Sequence, residues 1–201
     1  MKNIDIYHGD EKMSQYKNRQ NKRNYSVGVY LGRFQPFHHG HNSIIQQIIM
    51  DGRIPLLLIG HKGSLNDRHP LSITQIKELI RLLYPENQVM IEYVEDNDSW
   101  DKWYDTLMYK INLNTTLNNI VIYSHEKECD NTTFRFRDKY FVNCSQNECF
   151  IVDDIPIKYC EEYIDNKGQV LSATKIREDK EYAMQHLDAR IFKQLEEWRL
   201  W

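Results

Sequence analysis

The sequence lacks any stretch that could carry the chain into or across a membrane. No segment of its 201 residues approaches the ~20 consecutive apolar residues that a membrane-spanning helix needs. The first residues also lack the apolar run of a secretory signal. We therefore expect a soluble protein of the cytoplasm that has no membrane partner.

An excess of basic charge is also missing. The formal net charge is −3 and the sequence pI is about 6.2, whereas domains that bind nucleic acids are usually basic overall. The composition therefore argues against a nucleic-acid partner. Local basic positions could still hold phosphate groups.

Cysteine is scarce, and its spacing is not that of a metal site. The four cysteines are Cys129, Cys144, Cys149 and Cys160. None forms a C-x-x-C pair, so a zinc ribbon is not indicated. Reduced cytosolic thiols are the simplest interpretation.

The composition that is present fits one globular domain. Hydrophobic residues make up 41% of the chain and charged residues 27%, which are values typical of folded proteins. Residues 1–24 are polar and show no sustained hydrophobic period, so we predict a polar N-terminal extension. Residues 25–201 are predicted to form the domain.

Short apolar runs alternate with amphipathic segments along this domain. Predicted strands cover residues 26–31, 54–59, 89–94, 120–123 and 149–152. Between them apolar residues recur at helical spacing, for example at Ile44, Ile45 and Ile48. The alternation predicts an α/β fold with a parallel sheet and helices on both faces. Ligands bind such folds at the carboxyl ends of the strands.

Polar residues mark the starts of the later helices. Ser72 is followed three residues later by Gln75, which is the pattern of a capping box. Ser99 is predicted to cap the next helix, and Ser172 a further one. A last helix is expected from about Asp188.

The loop after the first predicted strand has the composition of a phosphate site. It reads G-R-F-Q-P-F-H-H-G-H from Gly32 to His41. The glycines, Gly32 and Gly40, allow close backbone approach, and Arg33 offers planar donors to phosphate. His38 and His41 share one side of a helix that begins near residue 38 or 39. A helix N-terminus beside two imidazoles suits an anion.

Two alternative roles for this histidine cluster stay open. His38, His39 and His41 could bind a metal ion, although no carboxylate accompanies them. They could also be structural, although a structural role accounts for one buried imidazole more readily than for a pair in a glycine-bounded loop. We expect His39 to point away from the ligand and assign it no role.

The string from Gly32 to His41 resembles the G-R-F-x-P-x-H-x-G-H signature of the nucleotidyltransferase superfamily with the H-x-G-H motif. Its Arg-Phe-Gln-Pro version is similar to nicotinamide-nucleotide adenylyltransferases of the archaeal type and of Nudix-linked bacterial and phage proteins. Relatives that act on other acceptors usually carry an acidic residue where this chain has Gln35. The resemblance implies a Rossmann-like nucleotidyltransferase fold. The glutamate-rich Nudix signature is absent from the sequence, so that second activity is not predicted.

A second motif agrees with the first. Leu171 begins the string L-S-A-T-K-I-R, which resembles the I-S-x-T-x-x-R motif of the same family. Ser172 can cap a helix, and Thr174 and Arg177 share a helix face, which suits a second phosphate-binding helix N-terminus. Taken alone, the pattern is also that of an ordinary capped helix.

The resemblance implies which residues bind ATP. The implied catalytic residues are Arg33, His38, His41 and Arg177. The implied ATP-binding residues are Gly32, Arg33, Phe34, Gln35, His38, Gly40, His41, Ser172, Thr174 and Arg177. Mg²⁺ is the expected cofactor, bound through the ATP phosphates and water rather than in a protein metal site.

Three residues resemble positions near the acceptor nucleotide, nicotinamide mononucleotide (NMN), in this family. Arg68 lies in a loop similar to the one that follows the second strand, where it would reach a phosphate. A solvated surface arginine is the alternative. Asp96 and Trp103 resemble an Asp and a Trp beside NMN, where a Trp face can stack on the cationic ring. Core packing would account for Trp103 equally well.

The implied reaction converts ATP and NMN to NAD and diphosphate. The attacking phosphate of NMN is already ionised at neutral pH, so no protein base is required. Nicotinic acid mononucleotide or phosphopantetheine are alternative acceptors, and a non-catalytic sensor of NAD or ATP is an alternative of another class. Family members are often oligomers, so a homo-oligomer is also considered.

Overall fold

The computed structural model describes residues 27–116, 119–125, 150–152 and 155–201. The strands are β1 (Val27–Gly32), β2 (Ile54–His61), β3 (Met90–Glu95), β4 (Ile120–His125), β5 (Phe150–Val152) and β6 (Ile155–Cys160). The helices are α1 (His39–Met50), α2 (Ile73–Leu83), α3 (Trp100–Asn112), α4 (Ala173–Glu178), α5 (Lys180–His186) and α6 (Ala189–Glu197). The predicted extension at residues 1–24 lies outside the described residues.

The strands form one six-stranded sheet in the order β3-β2-β1-β4-β6-β5. Five strands pair in parallel, which confirms the predicted α/β class. The sheet departs from the prediction at one edge, where β5 pairs antiparallel with β6. Strand β6 is not among the predicted strands; Pro156 lies within it, and a proline argues against a strand.

Strand β2 separates two hydrophobic cores. Leu56, Leu57, Leu58 and Ile59 are all 0% exposed, as expected for a strand that is covered on both faces. Because side chains alternate along a strand, Leu56 and Leu58 pack in the core that contains α3. Leu57 and Ile59 pack in the core that contains α1, α2, α4, α5 and α6. The prediction of helices on both faces is therefore confirmed.

The predicted helix starts are correct at α2 and wrong in detail at α3. The Ser72 hydroxyl accepts the Gln75 backbone N–H at 3.2 Å, and the Gln75 side chain accepts the Ser72 N–H at 3.0 Å. Ser99 holds the N-cap position of α3, but its side chain caps no N–H of that helix. Instead the Asn97 side-chain oxygen accepts the Ser99 N–H at 2.9 Å, which forms the turn before the helix.

The later helices also begin where the sequence indicates. Ser172 is the N-cap of α4 and Asp188 the N-cap of α6, and each side chain accepts a backbone N–H. Along the described ranges, no helix combines the length and the apolar character that crossing a membrane requires.

The carboxyl ends of the parallel strands gather the polar residues at one edge of the sheet. Arg33 directly follows β1, Asp96 directly follows β3, and His125 ends β4. The loop after β2 carries Arg68. This edge is where a ligand is expected in a sheet of this topology.

Candidate active site

The loop after β1 is shaped by two side chains that turn into the protein. Phe34 has a φ of 51° and is 0% exposed. Its ring lies against Gly32, where an added Cβ would come within 2.9 Å of it. The Gln35 amide donates to the Leu71 carbonyl at 2.9 Å and accepts the Leu71 N–H at 3.0 Å. Both side chains are thus occupied inside the protein, and their contacts with ATP stay predictions.

His38 and His41 form a reciprocal cap at the N-terminus of α1. Nδ1 of His38 accepts the backbone N–H of His41 at 3.4 Å, and Nδ1 of His41 accepts the backbone N–H of His38 at 3.3 Å. The rings stack with centroids 3.7 Å apart and planes inclined by 21°. The expectation that the two imidazoles share one side of the helix start is confirmed.

This cap fixes which nitrogen of each ring carries the proton. A nitrogen that accepts an N–H bond is unprotonated, so a neutral ring carries its proton on Nε2. Burial, with a smaller contribution from the nearby His125, lowers the pKa of His38 to about 3. Burial also lowers the pKa of His41 well below its usual value, with a further contribution from His38. Both rings are therefore neutral near pH 7, and each has one Nε2–H donor left.

Gly40 leaves the space that the His38 ring occupies. An added Cβ at Gly40 would lie 3.1 Å from two atoms of that ring. His39 turns elsewhere, since its ring centroid lies 6.0 Å from that of Tyr163. The arrangement agrees with the expectation that His39 is not part of the pair.

Arg177 joins the two sequence motifs in space. It lies on α4, where the Ser172 hydroxyl accepts the backbone N–H of Lys175 at 3.3 Å. One guanidinium nitrogen donates to the Gln35 backbone carbonyl at 2.6 Å, and the other donates to the Thr174 hydroxyl at 3.2 Å. The loop after β1 and the helix after Ser172 therefore contact each other through this side chain.

Arg33 and Asp96 form an ion pair between the ends of β1 and β3. Nη2 of Arg33 lies 2.7 Å from Oδ2 of Asp96, and the two side chains are 43% and 24% exposed. The arginine passes Gly60 of β2, where an added Cβ would lie 3.6 Å from its Nε. A residue predicted to hold the triphosphate thus contacts one predicted to lie beside the acceptor.

Positive charge concentrates around this pair. Arg68 is exposed, and its charge lowers the pKa of Arg177 in addition to the effect of burial. Burial also lowers the pKa of His69, followed by the charges of Arg33, Arg68 and Arg177. These groups share one positive field, which attracts a polyanion such as triphosphate.

Trp103 lies within the core on the α3 side of the sheet. It is 8% exposed and belongs to the cluster that includes Val29, Leu58 and Leu107. This placement is the one that core packing requires. Stacking on the acceptor ring stays a prediction.

His125 lies beside the candidate site and is not among the residues predicted for it. It ends β4 beside the end of β1, and its ring centroid lies 6.4 Å from that of Tyr30. The Tyr30 ring in turn lies 6.2 Å from that of His41. Its sequence signal is its place two residues after the strand predicted at residues 120–123.

Known proteins that are similar in sequence to this chain include adenylyltransferases. No protein-family model matches the chain. Nicotinamide-nucleotide adenylyltransferases from two strains of Halobacterium salinarum are 32% identical over 101 residues, which are 47% of this chain. The match spans 57% of the length of these relatives.

Solved structures of low identity share the fold. A bifunctional NMN adenylyltransferase/ADP ribose pyrophosphatase from Francisella tularensis matches with a TM-score of 0.63 and 22% identity, over 86% of this chain and 50% of that one. A NadR protein in complex with NAD and AMP-PNP matches with a TM-score of 0.55 and 23% identity, over 84% and 46%. Plasmodium falciparum nicotinic acid mononucleotide adenylyltransferase matches with a TM-score of 0.56 and 12% identity, over 89% and 97%.

The fold is that of the Rossmann-like nucleotidyltransferases. Over 101 residues the chain also resembles the nicotinamide-nucleotide adenylyltransferases of Halobacterium salinarum, which confirms the resemblance to that family.

Proposed function

We propose that this protein transfers the adenylyl group of ATP to NMN and releases diphosphate, forming NAD. The observation that carries the proposal is the capped pair of His38 and His41, which leaves two neutral Nε2–H donors at a helix N-terminus. Arg177 reaches the same loop from the second motif. Donors fixed in this way suit a triphosphate better than a metal or a neutral ligand.

The proposed reaction needs no protein nucleophile. An oxygen of the NMN phosphate attacks the α-phosphorus of ATP, and the bond between that phosphorus and the bridging oxygen to the β-phosphate breaks. Negative charge grows on the departing diphosphate. Arg33 and Arg177 hold that charge, while His38 and His41 donate hydrogen bonds to it without losing a proton.

Mg²⁺ fits this site as an ion carried by ATP. Within the described ranges no group of three or more His, Cys, Asp or Glu side chains is placed to hold a metal. Asp96 is the carboxylate beside Arg33, and it is already paired. When bound to the phosphates, Mg²⁺ would neutralise part of their charge.

The acceptor subsite is proposed to involve Arg68, Asp96 and Trp103. Arg68 lies in the positive field and is exposed enough to reach the acceptor phosphate. Asp96 accepts hydrogen bonds only, so it favours the carboxamide of nicotinamide, which has N–H donors, over the carboxylate of nicotinic acid, which has none. A cytoplasmic location and a homo-oligomer also stay predictions.

The decisive experiment offers the purified protein ATP, Mg²⁺ and one acceptor at a time: NMN, nicotinic acid mononucleotide or phosphopantetheine. Diphosphate release is followed, and the product is identified by mass spectrometry. We expect release with NMN and a product with the mass of NAD. Faster release with another acceptor would move the assignment to that acceptor, and tight NAD binding without any release would support the sensor.

Two matched variants show whether the histidine pair carries the reaction. His41→Ala should lower kcat by about two to three orders of magnitude, the typical effect of removing a fixed donor to transition-state charge. His39→Ala removes the neighbouring imidazole, which faces Tyr163, and should leave kcat unchanged. Full activity of His41→Ala would refute the proposed role.

A further inference from the structure

Arg177 is carried by a helix that is too short to hold itself in place. α4 has six residues, whereas isolated helices below about 12 residues are marginal in water. The N-terminal end is fixed by the Ser172 cap. The side chain of Ile176, which is 0% exposed, anchors the middle of the helix in the core. At the C-terminal end the Asp179 N–H bonds to the Lys175 carbonyl at 2.8 Å, and the next carbonyl of the last turn, that of Ile176, needs a partner of its own.

Trp201 supplies that partner. Its indole Nε1–H donates to the backbone carbonyl of Ile176 at 3.0 Å. Ile176 directly precedes Arg177, so the bond is made to the peptide unit that carries the arginine. The bond links residues 25 positions apart in the sequence.

The turn after α6 brings Trp201 to this position. Arg199 has a φ of 57°, and the Leu200 N–H bonds to the Leu195 carbonyl at 3.1 Å, which reverses the chain. The Trp201 ring then stacks on Phe192 of α6, with centroids 5.3 Å apart and planes inclined by 30°. The indole ring therefore packs on α6, while its N–H bonds to the backbone of α4.

We propose that Trp201 is a positioning residue that sets the place of Arg177, and through it the affinity of the site for the diphosphate group. The inference rests on the proposed function, since it assumes that Arg177 binds phosphate. Trp201 itself need not touch the substrate. Its N–H orients a peptide unit, and the Arg177 side chain transmits that orientation to the ligand.

The test measures binding of inorganic diphosphate by calorimetry, beside the midpoint of thermal unfolding. Trp201→Phe removes the indole N–H but keeps a ring against Phe192. Trp198→Phe is the matched control, because Trp198 packs against the same core. We expect the affinity to fall about fivefold in Trp201→Phe, the equivalent of one ordinary hydrogen bond, and to change less than twofold in the control.

A double-mutant cycle separates positioning from general stabilisation. If Trp201 acts through Arg177, Trp201→Phe should have no further effect on diphosphate affinity in an Arg177→Ala background. Additive effects would overturn the inference, as would unchanged affinity in the single variant. If Trp201→Phe unfolds, replacing Trp201 by benzothienylalanine keeps the ring shape without the N–H, and the same outcomes apply. If the unaltered protein binds no diphosphate, the proposed function fails as well. If it binds diphosphate and Trp201→Phe binds it equally well, only the role of Trp201 fails.

Discussion

Replacing His38 by asparagine should separate the two jobs of its imidazole ring. Nδ1 of His38 caps α1 by accepting the His41 N–H, and Nε2 is left to donate to a ligand. The Oδ1 atom of asparagine is the same number of bonds from the backbone as Nδ1 of histidine, and asparagine is among the best N-cap residues. No asparagine atom reaches as far as Nε2. His38→Asn should therefore keep the helix cap and lose the donor.

The buried ring of His38 makes the free energy of unfolding depend on pH. The pKa of His38 falls from 6.5 to about 3 in the folded protein because its ring is buried. The unfolded chain thus binds more protons at acidic pH, so stability declines as the pH falls below 6.5 and continues to decline toward pH 3. Between about pH 7.5 and about pH 5.5, this single group lowers the free energy of unfolding by about 1.4 kcal/mol. His38→Asn should abolish that part of the decline.

The assay combines urea unfolding at the two pH values with the rate of NAD formation near pH 7.5. Near pH 7.5, His38→Asn should be less stable than the unaltered protein, because it loses the buried ring that stacks on His41. It should lose less stability on acidification, and its kcat should be lowered by about two orders of magnitude. In His38→Gln the amide nitrogen is as many bonds from the backbone as Nε2 of histidine. This variant should retain more activity than His38→Asn but should unfold more readily. An unchanged kcat in His38→Asn, or an unchanged pH slope, would refute the reasoning.

Three further predictions follow from contacts outside the pair. Asp96→Asn should raise the affinity for inorganic diphosphate about threefold, because Arg33 loses a charged partner; calorimetry measures it, and weaker binding would contradict it. Gln35→Glu should lower the free energy of unfolding by about 2 kcal/mol, because a carboxylate cannot donate to the Leu71 carbonyl; urea unfolding near pH 7.5 tests this, with equal stability as the contrary result. Tyr123→Phe should cost about 1 kcal/mol without changing kcat, because it removes the hydroxyl that joins Asp51 and Arg53; a lowered kcat would show that this network serves the reaction.

Local patterns in the sequence were sufficient to predict the frame of the site. The glycine-bounded loop, the start of α1 and the Ser72 capping box each depend on residues within a few positions of one another. The two-sided burial of β2 is also visible in its unbroken apolar run. These features have a period or a fixed spacing, so they can be found without knowing the tertiary structure.

Contacts between distant residues could not be predicted in the same way. Arg33 and Asp96 are 63 positions apart, and Gln35 and Leu71 are 36 apart, so no periodicity connects them. The sequence shows Gln35 as a departure from an acidic residue and, by resemblance, as a residue that binds ATP. The structure shows that its amide both donates to and accepts from the backbone of Leu71. Strand β6 is hidden in the sequence for a local reason, which is the proline within it.

The pairing of Arg33 with Asp96 has a consequence for turnover. Asp96 is a competitor that is attached to the protein, so its effective concentration beside Arg33 is fixed and cannot be diluted. A phosphate that takes over the Nη2 donor of Arg33 must displace this carboxylate, and the carboxylate is beside the donor again when the phosphate leaves. In an adenylyltransferase this exchange would lower the affinity of the site for ATP and for the departing diphosphate alike. The site would then gain faster clearance of its product at the expense of affinity.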